Sequence, residues 1–435
     1  METLSATTAQ FGATDTGVAK EAIEPKSDKY IWGIYIFLCI VSIIELYSAS
    51  SREVAASAIG VYGPVVRHIF MLGAGCGIIL LLQRVHYRKF IPLIPIFAIL
   101  SVAMMVYVML FGEVVNGARR SFSLCGVTIQ PSEFLKLSAA LVIALIMSRT
   151  QIKGGVKRAG VMWSAIIVML FSGLLIKQGM TNTILLMAIS LSMMVIGGVE
   201  WKKFGVVLMA YGVCCLIFLM IFKSGGDSDV VQADGATVER VDRSKTWTER
   251  LDRYFGNGEP KYKQELNAKN RQEMYSYMAQ ANGGVFGVFP GNSRETARLP
   301  LAFSDFIYSI IIEDTGLLGG IFVLVAYLLL LGRASAISAK CSRVFPALLV
   351  MGMAVMIAFQ ALFHMAIVSG FFPVSGQPLP LISKGGTSIL ITSIALGVML
   401  SVSRHAVRNT EKRNDINDEI NALPEELRAA NPTQL

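Results

Sequence analysis

Runs of apolar residues, each long enough to cross a lipid bilayer, recur along almost the whole 435-residue chain. A transmembrane helix needs about 20 predominantly apolar residues, because it must cross roughly 30 Å of hydrocarbon. Charged residues make up only 16% of the sequence, whereas soluble domains carry about 25%. The sequence therefore predicts an all-α polytopic membrane protein.

About ten of these runs are predicted to be transmembrane helices. In chain order they are Tyr30–Ser50, Val65–Leu82, Phe90–Phe111, Ser132–Met147, Val161–Ile176, Thr181–Gly198, Phe204–Phe222, Phe306–Leu331, Phe345–Phe372 and Gly385–Ser403. The fourth and fifth runs are short, so either of them is a candidate for a re-entrant segment.

The Lys and Arg residues of the short loops fall on one side if every run crosses the bilayer. Arg84, Arg149, Lys202 and Arg343 lie in successive loops of this set. By the positive-inside rule that side is the cytoplasm, so both termini are predicted to be cytoplasmic. The net charge of +9 follows this loop pattern, which argues against a nucleic-acid-binding surface.

One long polar segment interrupts the apolar runs and is predicted to be an extracytoplasmic loop between helices 7 and 8. The predicted parts are a cytoplasmic tail (1–29), helices 1–7 (30–222), the long loop (223–304), helices 8–10 (305–403) and a second cytoplasmic tail (404–435). Within the loop, Pro260–Ala281 carries apolar residues at near-helical spacing. This pattern predicts an amphipathic helix near the membrane surface.

Two polar clusters lie just before and within the fourth run. N-G-A-R-R-S-F (116–122) contains Arg119 and Arg120, whose guanidinium groups suit phosphate or pyrophosphate oxygens. Anchoring to phospholipid headgroups is the alternative. Q-P-S-E-F-L-K-L (130–137) places Glu133 and Lys136 three residues apart on one helix face, where they can pair. The pair indicates either a polar cavity reaching into the bundle or a self-neutralising pair at the interface.

The third cluster, F-S-D-F-I-Y (303–308), places Asp305 at the start of the eighth run. An ionised carboxylate in a partly dry cleft can accept a proton from a substrate hydroxyl. The alternative is that Ser304 or Asp305 only caps the helix. Glu313 and Asp314 lie further along this run, where they are expected to pair with Arg or Lys or to help bind a cation.

The fourth cluster, P-V-S-G-Q-P-L-P-L-I-S-K-G-G-T-S (373–388), lies between the last two runs. Its prolines and glycines predict a rigid, irregular loop. Non-helical backbone at membrane depth is tolerated only against protein or water. Lys384 and the neighbouring glycine amides are candidates to contact an anionic headgroup, with a plain re-entrant turn as the alternative.

These clusters, in this order, resemble the SEDS family (shape, elongation, division and sporulation membrane proteins). The resemblance is carried by N-G-A-R-R, Q-P-S-E-F-L-K-L, A-N-G-G-V-F-G, S-D-F-I-Y-S-I-I-I-E-D-T-G-L-L-G-G and G-Q-P-L-P-L-I-S-K-G-G-T-S-I-L. The C-terminal motif resembles the division branch, of the Bacteroidetes type, more than the elongation branch. Lys177–Thr183 departs from the family's acidic turn, and we assign that turn no role.

The resemblance implies a peptidoglycan glycosyltransferase that polymerises lipid II, with Asp305 as the essential aspartate. It implies an inverting transfer in which undecaprenyl pyrophosphate leaves. The predicted substrate-binding residues are Arg119, Arg120, Gln130, Glu133, Lys136, Ser383 and Lys384. No metal ligands are assigned, and a divalent cation such as Mg²⁺ or Mn²⁺ is a candidate cofactor.

The implied partner is a class B penicillin-binding protein, a transpeptidase with a single span, together with other division proteins. The implied location is the cytoplasmic (inner) membrane at the division septum, with the active site on the extracytoplasmic face. A lipid II flippase, a non-catalytic division scaffold and an elongation polymerase remain the alternatives. The charged clusters concentrate at one face, which does not suit the alternating access of a transporter.

Overall fold

The structure, a computed structural model, describes residues 27–49, 62–115, 118–124, 127–176, 179–224, 266–267, 270–299 and 302–421. In this part of the chain we find eleven α-helices. They are α1 (Lys29–Ala49), α2 (Tyr62–Leu82), α3 (Leu93–Phe111), α4 (Pro131–Arg149), α5 (Arg158–Ile176), α6 (Met180–Ile196), α7 (Trp201–Ser224), α8 (Arg271–Gly283), α9 (Ile307–Ala339), α10 (Val344–Val368) and α11 (Gly386–Asn421).

Every predicted span coincides with one of these helices, α1–α7 and α9–α11. Among the described residues, eight helices are long and apolar enough to cross a membrane. The chain is therefore a multi-pass membrane protein. Helices α4 and α5 each run unbroken for 19 residues, which removes the reason for treating either as re-entrant.

The central helices are distinguished from the peripheral ones by burial. The apolar windows of α4, α10 and α11 are 72%, 78% and 83% buried within the protein, against 22% for α3. A helix that buries most of its surface against protein lies inside the bundle, and one that exposes apolar side chains faces lipid. The site-bearing motifs at the starts of α4 and α11 therefore belong to the interior of the bundle.

The ninth predicted span ends four residues too late. Helix α10 stops at Val368, and Gly370 follows with φ of +84°. The Gly370 N–H donates to the Ile367 carbonyl and the Phe371 N–H to the Ala366 carbonyl. This is the hydrogen-bond pattern of a Schellman C-cap, which requires the left-handed conformation that glycine adopts at low cost.

A small antiparallel sheet between α3 and α4 was missed by the sequence analysis, which predicted only helices. Its strands are β1 (Glu113–Val115), β2 (Ala118–Leu124) and β3 (Val127–Ile129), in the order β1–β2–β3. A second pair, β4 (Gln151–Ile152) and β5 (Gly155–Val156), joins α4 to α5. An Asn-Gly dipeptide is a strong hairpin signal, and Asn116–Gly117, which follows two valines, was available as one.

The two ends of the chain and the long loop are covered only in part. Helix α8 confirms a helix late in the loop but begins at Arg271, and residues 260–265 and 268–269 of the predicted amphipathic segment lie outside the described residues. Residues 1–26 and 422–435 of the predicted tails also lie outside them. Helix α11 continues without interruption to Asn421, well past the predicted span end at Ser403. Which end of the bundle faces the cytoplasm stays a prediction.

Helix α9 is broken at Gly316, whose φ of +75° and ψ of −178° are not helical. The segment that follows α8 lies against the break. The Glu313 and Asp314 carbonyls accept hydrogen bonds from the Val288 and Phe289 N–H groups at 2.9 and 2.8 Å. Backbone groups freed inside a membrane bundle must be satisfied by neighbouring protein, and this segment supplies the donors.

Close backbone contact at this break depends on two glycines. A Cβ added to Gly316 would lie 2.1 Å from the Val285 carbonyl oxygen, and one added to Gly287 would lie 2.2 Å from that of Asp314. Both residues also have positive φ. Any other residue at either position would push the segment away from α9.

Candidate functional site

Asp305 lies immediately before α9, with its side chain half-buried. The N-cap residue of α9 is Phe306, and no side chain makes a capping hydrogen bond there. The interpretation of Ser304 or Asp305 as a simple helix cap is therefore wrong. Instead, the Ser304 hydroxyl donates to Asp305 Oδ1 at 2.9 Å, which orients the carboxylate within the loop.

The irregular loop before α11 approaches the Asp305 carboxylate through its backbone. Gly376 has φ of +70°, and a Cβ added there would lie 2.8 Å from Asp305 Oδ2. A glycine is needed for both reasons, the backbone conformation and the close contact. The loop before α11 thus forms one wall beside the acid, as expected for irregular backbone that lies against protein.

The same loop is tied to the segment that carries Asp305. Ser383 donates to the Ser304 carbonyl and accepts from the Leu379 N–H, both at 2.7 Å. The Lys384 N–H donates to the Phe303 carbonyl at 3.0 Å, and its ammonium group lies 4.9 Å from the Phe303 ring centroid. Ser383 therefore positions the loop, while Lys384 is held against Phe303, two residues before Asp305, by its own backbone.

Arg120, on β2, interacts electrostatically with Asp305. Burial lowers the pKa of the Arg120 guanidinium, and the negative charge of Asp305 partly offsets that effect. The sheet missed by sequence reasoning is what brings this arginine to the acid. The backbone of Arg119 pairs with Val114 across β1 and β2, but its side chain lies outside the described residues and its role stays a prediction.

Glu133 and Lys136 pair as predicted, at 2.7 Å. Lys136 is fully buried and also donates to Gln360 Oε1 on α10 at 3.2 Å. It lies behind the site, so the structure does not bring it to an open surface where a substrate would bind. Lys136 therefore holds Glu133 in place.

Two polar residues of α10 support the loop from behind. Gln360 Nε2 donates to the Pro378 carbonyl at 3.4 Å, and His364 Nδ1 to the Gln377 carbonyl at 2.6 Å. Gln360 and His364 lie one helical turn apart, so they share a face of α10. This face fixes the loop segment next to Gly376.

A small polar cavity of about 50 Å³ opens on one side of Asp305. Its lining includes Arg120, Gln130, Glu133, Thr181, Asn182 and Gly376. Thr181 and Asn182 belong to the turn to which the sequence analysis assigned no role, and the structure places both in the wall of this cavity.

A larger groove of about 400 Å³, which we call the basic groove, opens beside Ser304, the residue before Asp305. Its lining includes Arg67, Gln130, Ser304, Lys384, Gly385 and Thr387. Gln130 lines both spaces, and its N–H donates to Thr387 Oγ1 at 3.2 Å. Asp305 is next to residues of both spaces: Ser304, which precedes it, borders the groove, and Gly376, which lies against its carboxylate, borders the cavity.

Arg67 was missed by sequence reasoning. It lies near the start of α2, among apolar residues, at the end of the bundle that carries Asp305. An arginine at the predicted extracytoplasmic end opposes the positive-inside rule. This conflict was the signal that could have identified it.

Glu313 is partnered differently from its expected Arg or Lys neighbours. Its carboxylate accepts hydrogen bonds from the Ser293 hydroxyl and, at 3.0 Å, from the Arg294 backbone N–H. Asn282 Nδ2 lies 3.4 Å away and also donates. Glu313 therefore fastens the segment before Asp305 to α9. In the described part of the chain, no cluster of three or more His, Cys, Asp or Glu side chains is placed to hold a metal ion.

Comparison with known proteins identifies relatives over nearly the whole chain. The FtsW/RodA/SpoVE family model, described as "Cell cycle protein", matches residues 28–408. The "Probable peptidoglycan glycosyltransferase FtsW" of Trichlorobacter lovleyi is 30% identical over 85% of this chain and 91% of its own. The protein of the same description in Bacillus subtilis is 27% identical over 87% and 91%, and the "Peptidoglycan glycosyltransferase MrdB" of Escherichia coli K12 is 24% identical over 86% and 92%.

Solved structures support the fold. Thermus thermophilus RodA superposes with a TM-score of 0.60 at 21% identity, covering 87% of this chain and 97% of that one. A chain from the structure described as "Structural coordination of polymerization and crosslinking by a peptidoglycan synthase complex" gives a TM-score of 0.64 at 22% identity, over 87% and 98%. The match to a Bacteroidetes type stays a prediction. With the family model covering most of its length, the chain belongs to the FtsW/RodA/SpoVE family of cell cycle proteins, the SEDS family that its motifs resemble.

Proposed function

We propose that this chain is a peptidoglycan glycosyltransferase that polymerises lipid II into glycan strands. The observation that carries the proposal is the position of Asp305, a half-buried carboxylate whose neighbours Gly376 and Ser304 border a polar cavity and a basic groove, respectively. The names of the FtsW and MrdB relatives support the same activity. One acid between two polar spaces suits a reaction that joins two sugars.

The chemical step is an inverting displacement. Asp305 accepts the proton of the acceptor sugar's 4-hydroxyl as that oxygen attacks C1 of the donor. The C1–oxygen bond to undecaprenyl pyrophosphate breaks, and the pyrophosphate leaves with the bonding electrons. Ser304 and Arg120 orient the carboxylate for this role.

The leaving pyrophosphate is best accommodated in the basic groove. Arg67 and Lys384 line it, together with Gly386 at the first turn of α11. The N-terminus of a helix attracts anions through its unpaired N–H groups and its dipole. Preorganised positive charge at this position stabilises the charge that develops on the pyrophosphate.

The other predicted substrate residues take supporting roles in this proposal. Gln130, which lines both the cavity and the groove, contacts the substrate there, and Glu133 contacts it from the cavity wall. Lys136 and Ser383 act by holding Glu133 and the loop, respectively. A Mg²⁺ or Mn²⁺ ion bound with the pyrophosphate would neutralise charge.

The cellular setting is also part of the proposal. We place the protein in the cytoplasmic membrane at the division septum, with Asp305 on the extracytoplasmic face and a class B penicillin-binding protein as partner. The FtsW relatives favour division, and the MrdB relative keeps elongation as the alternative. The structural neighbour that couples polymerisation and crosslinking supports a transpeptidase partner.

The test is polymerisation of purified lipid II by the purified chain with its transpeptidase partner, with products separated by length. We expect Asp305→Asn to lower the rate by about 10²–10⁴-fold, the usual contribution of a general base. Glu200→Gln is the matched control, since Glu200 is an exposed acid outside both polar spaces. Equal rates for Asp305→Asn and the unsubstituted chain would exclude Asp305 as the base.

The rival activities are separated by two further measurements. Transbilayer movement of labelled lipid II in liposomes that hold only this chain would indicate a flippase. A scaffold predicts that Asp305→Asn supports normal division in cells, although the same variant polymerises nothing when purified. Size-exclusion profiles that match the unsubstituted chain are required of every variant, so that loss of activity is not loss of folding.

A further inference from the structure

One histidine in the wall of the basic groove has no role in the proposed reaction. His68 lies on α2 directly after Arg67, and both residues line the groove together with Lys384. His68 is only 3% exposed, although it borders an open space. It also interacts electrostatically with Lys384. The histidine is therefore close to both cations that we place around the leaving pyrophosphate.

The imidazole ring is fixed by a hydrogen bond to α1. His68 Nε2 lies 2.6 Å from the hydroxyl oxygen of Ser42, which is fully buried. The same hydroxyl oxygen lies 3.0 Å from the carbonyl oxygen of Ile382. A carbonyl only accepts hydrogen bonds, and a hydroxyl has a single hydrogen to donate. Both contacts are therefore satisfied when Ser42 donates to Ile382 and accepts from His68 Nε2–H.

This chain of hydrogen bonds ends on the loop before α11. Ile382 is 1% exposed and lies two residues before Lys384. The next residue, Ser383, donates to the Ser304 carbonyl. The loop segment 382–384 is thus held from two directions, by α1 and α2 at Ile382 and by the segment before α9 at Ser383. Because water does not replace a lost partner in the buried interior, breaking either contact leaves the loop free to shift.

The orientation of the Ser42 hydroxyl depends on His68. A serine inside a helix can turn its hydroxyl toward the carbonyl of the residue four positions earlier in its own helix. The Nε2–H of His68 occupies a lone pair of the Ser42 oxygen and leaves the hydroxyl hydrogen to Ile382. An apolar side chain of similar size would fill the same space without this effect. The role of His68 therefore depends on its N–H and not on its volume.

We propose that His68 is a positioning residue for the basic groove. Through Ser42 and Ile382 it holds Lys384 at the wall of the groove. This lysine and Arg67 then receive the pyrophosphate. His68 acts through these residues and not by touching the substrate itself. The inference rests on the proposed function, because the pyrophosphate is the leaving group of that reaction.

The first test measures binding of inorganic pyrophosphate to the full chain in detergent micelles by isothermal titration. We expect His68→Leu to weaken binding by about 10-fold, which corresponds to one displaced contact to a charged group. Ser42→Ala should have a similar effect, because it breaks the same chain of hydrogen bonds. His68→Gln should stay within ~3-fold of the unsubstituted chain, since the glutamine amide N–H replaces the Nε2–H of histidine.

The second test separates the positioning of Lys384 from a general effect on folding. The double variant His68→Leu/Lys384→Ala should bind pyrophosphate within ~2-fold of Lys384→Ala alone, because His68 acts through this lysine. A residue that only supports the fold would weaken binding by the same factor in both backgrounds. His405→Leu is the matched control and should leave binding unchanged. This histidine lies at the opposite end of the membrane-spanning part of α11 from Lys384, and its Nδ1 lies 2.7 Å from the Ser401 carbonyl.

Three results would overturn the inference, each among variants whose size-exclusion profiles match the unsubstituted chain. They are no pyrophosphate binding by the unsubstituted chain, equal weakening by His68→Leu and His68→Gln, and equal weakening by His68→Leu with and without Lys384→Ala. Polymerisation of lipid II is measured on the same variants. Pyrophosphate binding that responds to His68→Leu, without polymerisation by the unsubstituted chain, refutes the proposed function and keeps the positioning role. Polymerisation that depends on Asp305, with pyrophosphate binding insensitive to His68→Leu, refutes the positioning role alone.

Discussion

The buried ion pair between Glu133 and Lys136 offers a quantitative test of how the site is supported. Lys136 is fully buried and Glu133 is 3% exposed, with 2.7 Å between the ammonium nitrogen and the carboxylate oxygen. Lys136→Met removes the ammonium and leaves the carboxylate with only a 3.5 Å contact from Gln360 Nε2. Breaking a buried pair from one side costs about 3–5 kcal/mol, whereas replacing both partners is often close to neutral.

We therefore expect Lys136→Met to lower the free energy of unfolding by about 3–5 kcal/mol. The double variant Glu133→Gln/Lys136→Met should recover most of that loss, because no uncompensated charge remains. The assay is reversible unfolding in mixed micelles, followed by the fluorescence of the four tryptophans. The coupling free energy comes from the cycle of two single variants and the double variant.

The chain contains its own control for this cycle. Lys203 and Glu200 have the same three-residue spacing and a similar distance, 2.8 Å, but their side chains are 25% and 51% exposed. Glu200→Gln should change the unfolding free energy by less than about 1 kcal/mol, as for other exposed pairs. If the buried double variant is destabilised by the sum of its two single variants, the reasoning about uncompensated charge is refuted.

Two further predictions follow from individual contacts. Gly316→Ala should destabilise the protein by at least about 1–3 kcal/mol, because the added carbon meets the Val285 carbonyl in a left-handed backbone conformation. Gly33→Ala, whose added carbon meets nothing within 4 Å, should be neutral or stabilising in the same unfolding assay. Lys384→Ala should lower kcat/KM for lipid II by about 10–100-fold, which corresponds to the loss of one hydrogen bond to a charged group. Lys202→Ala, at an exposed position in α7, should leave kcat/KM unchanged. Equal kinetic constants for these two lysine variants would remove Lys384 from the substrate site.

Helix positions could be predicted because hydrocarbon imposes a strong local rule. A run of apolar residues long enough to span lipid has no stable alternative to the helix, since its backbone groups find no water. Strands β1–β3 were missed because they lie in the connection between two membrane helices, where that rule does not apply. Whether such short strands pair depends on the residues packed around them. The break at Gly316 was missed for a related reason, since its partners are donors from Val288 and Phe289, far away along the chain.

The candidate site could be predicted in its motifs but not in its arrangement. Asp305 and Lys384 are recognisable in the sequence, because each is a charged residue next to an apolar run. The order of the motifs predicted that both belong to one site. Arg67 lies on α2, and Thr181 and Asn182 both lie on α6, so these three residues come from two other elements. Whether these residues belong to the candidate site depends on which helix ends pack around Asp305.

The amino-acid sequence alone determines that this protein crosses a membrane several times. The free energy of moving a segment into hydrocarbon depends on the composition and length of that segment. The sequence also determines the pairing of Glu133 with Lys136, because helical geometry places them on one face. Packing of distant segments decides the rest: which cations accompany Asp305, and that Lys136 supports the site from behind. These outcomes depend on burial and on contacts between residues far apart in the sequence, and no local pattern encodes either.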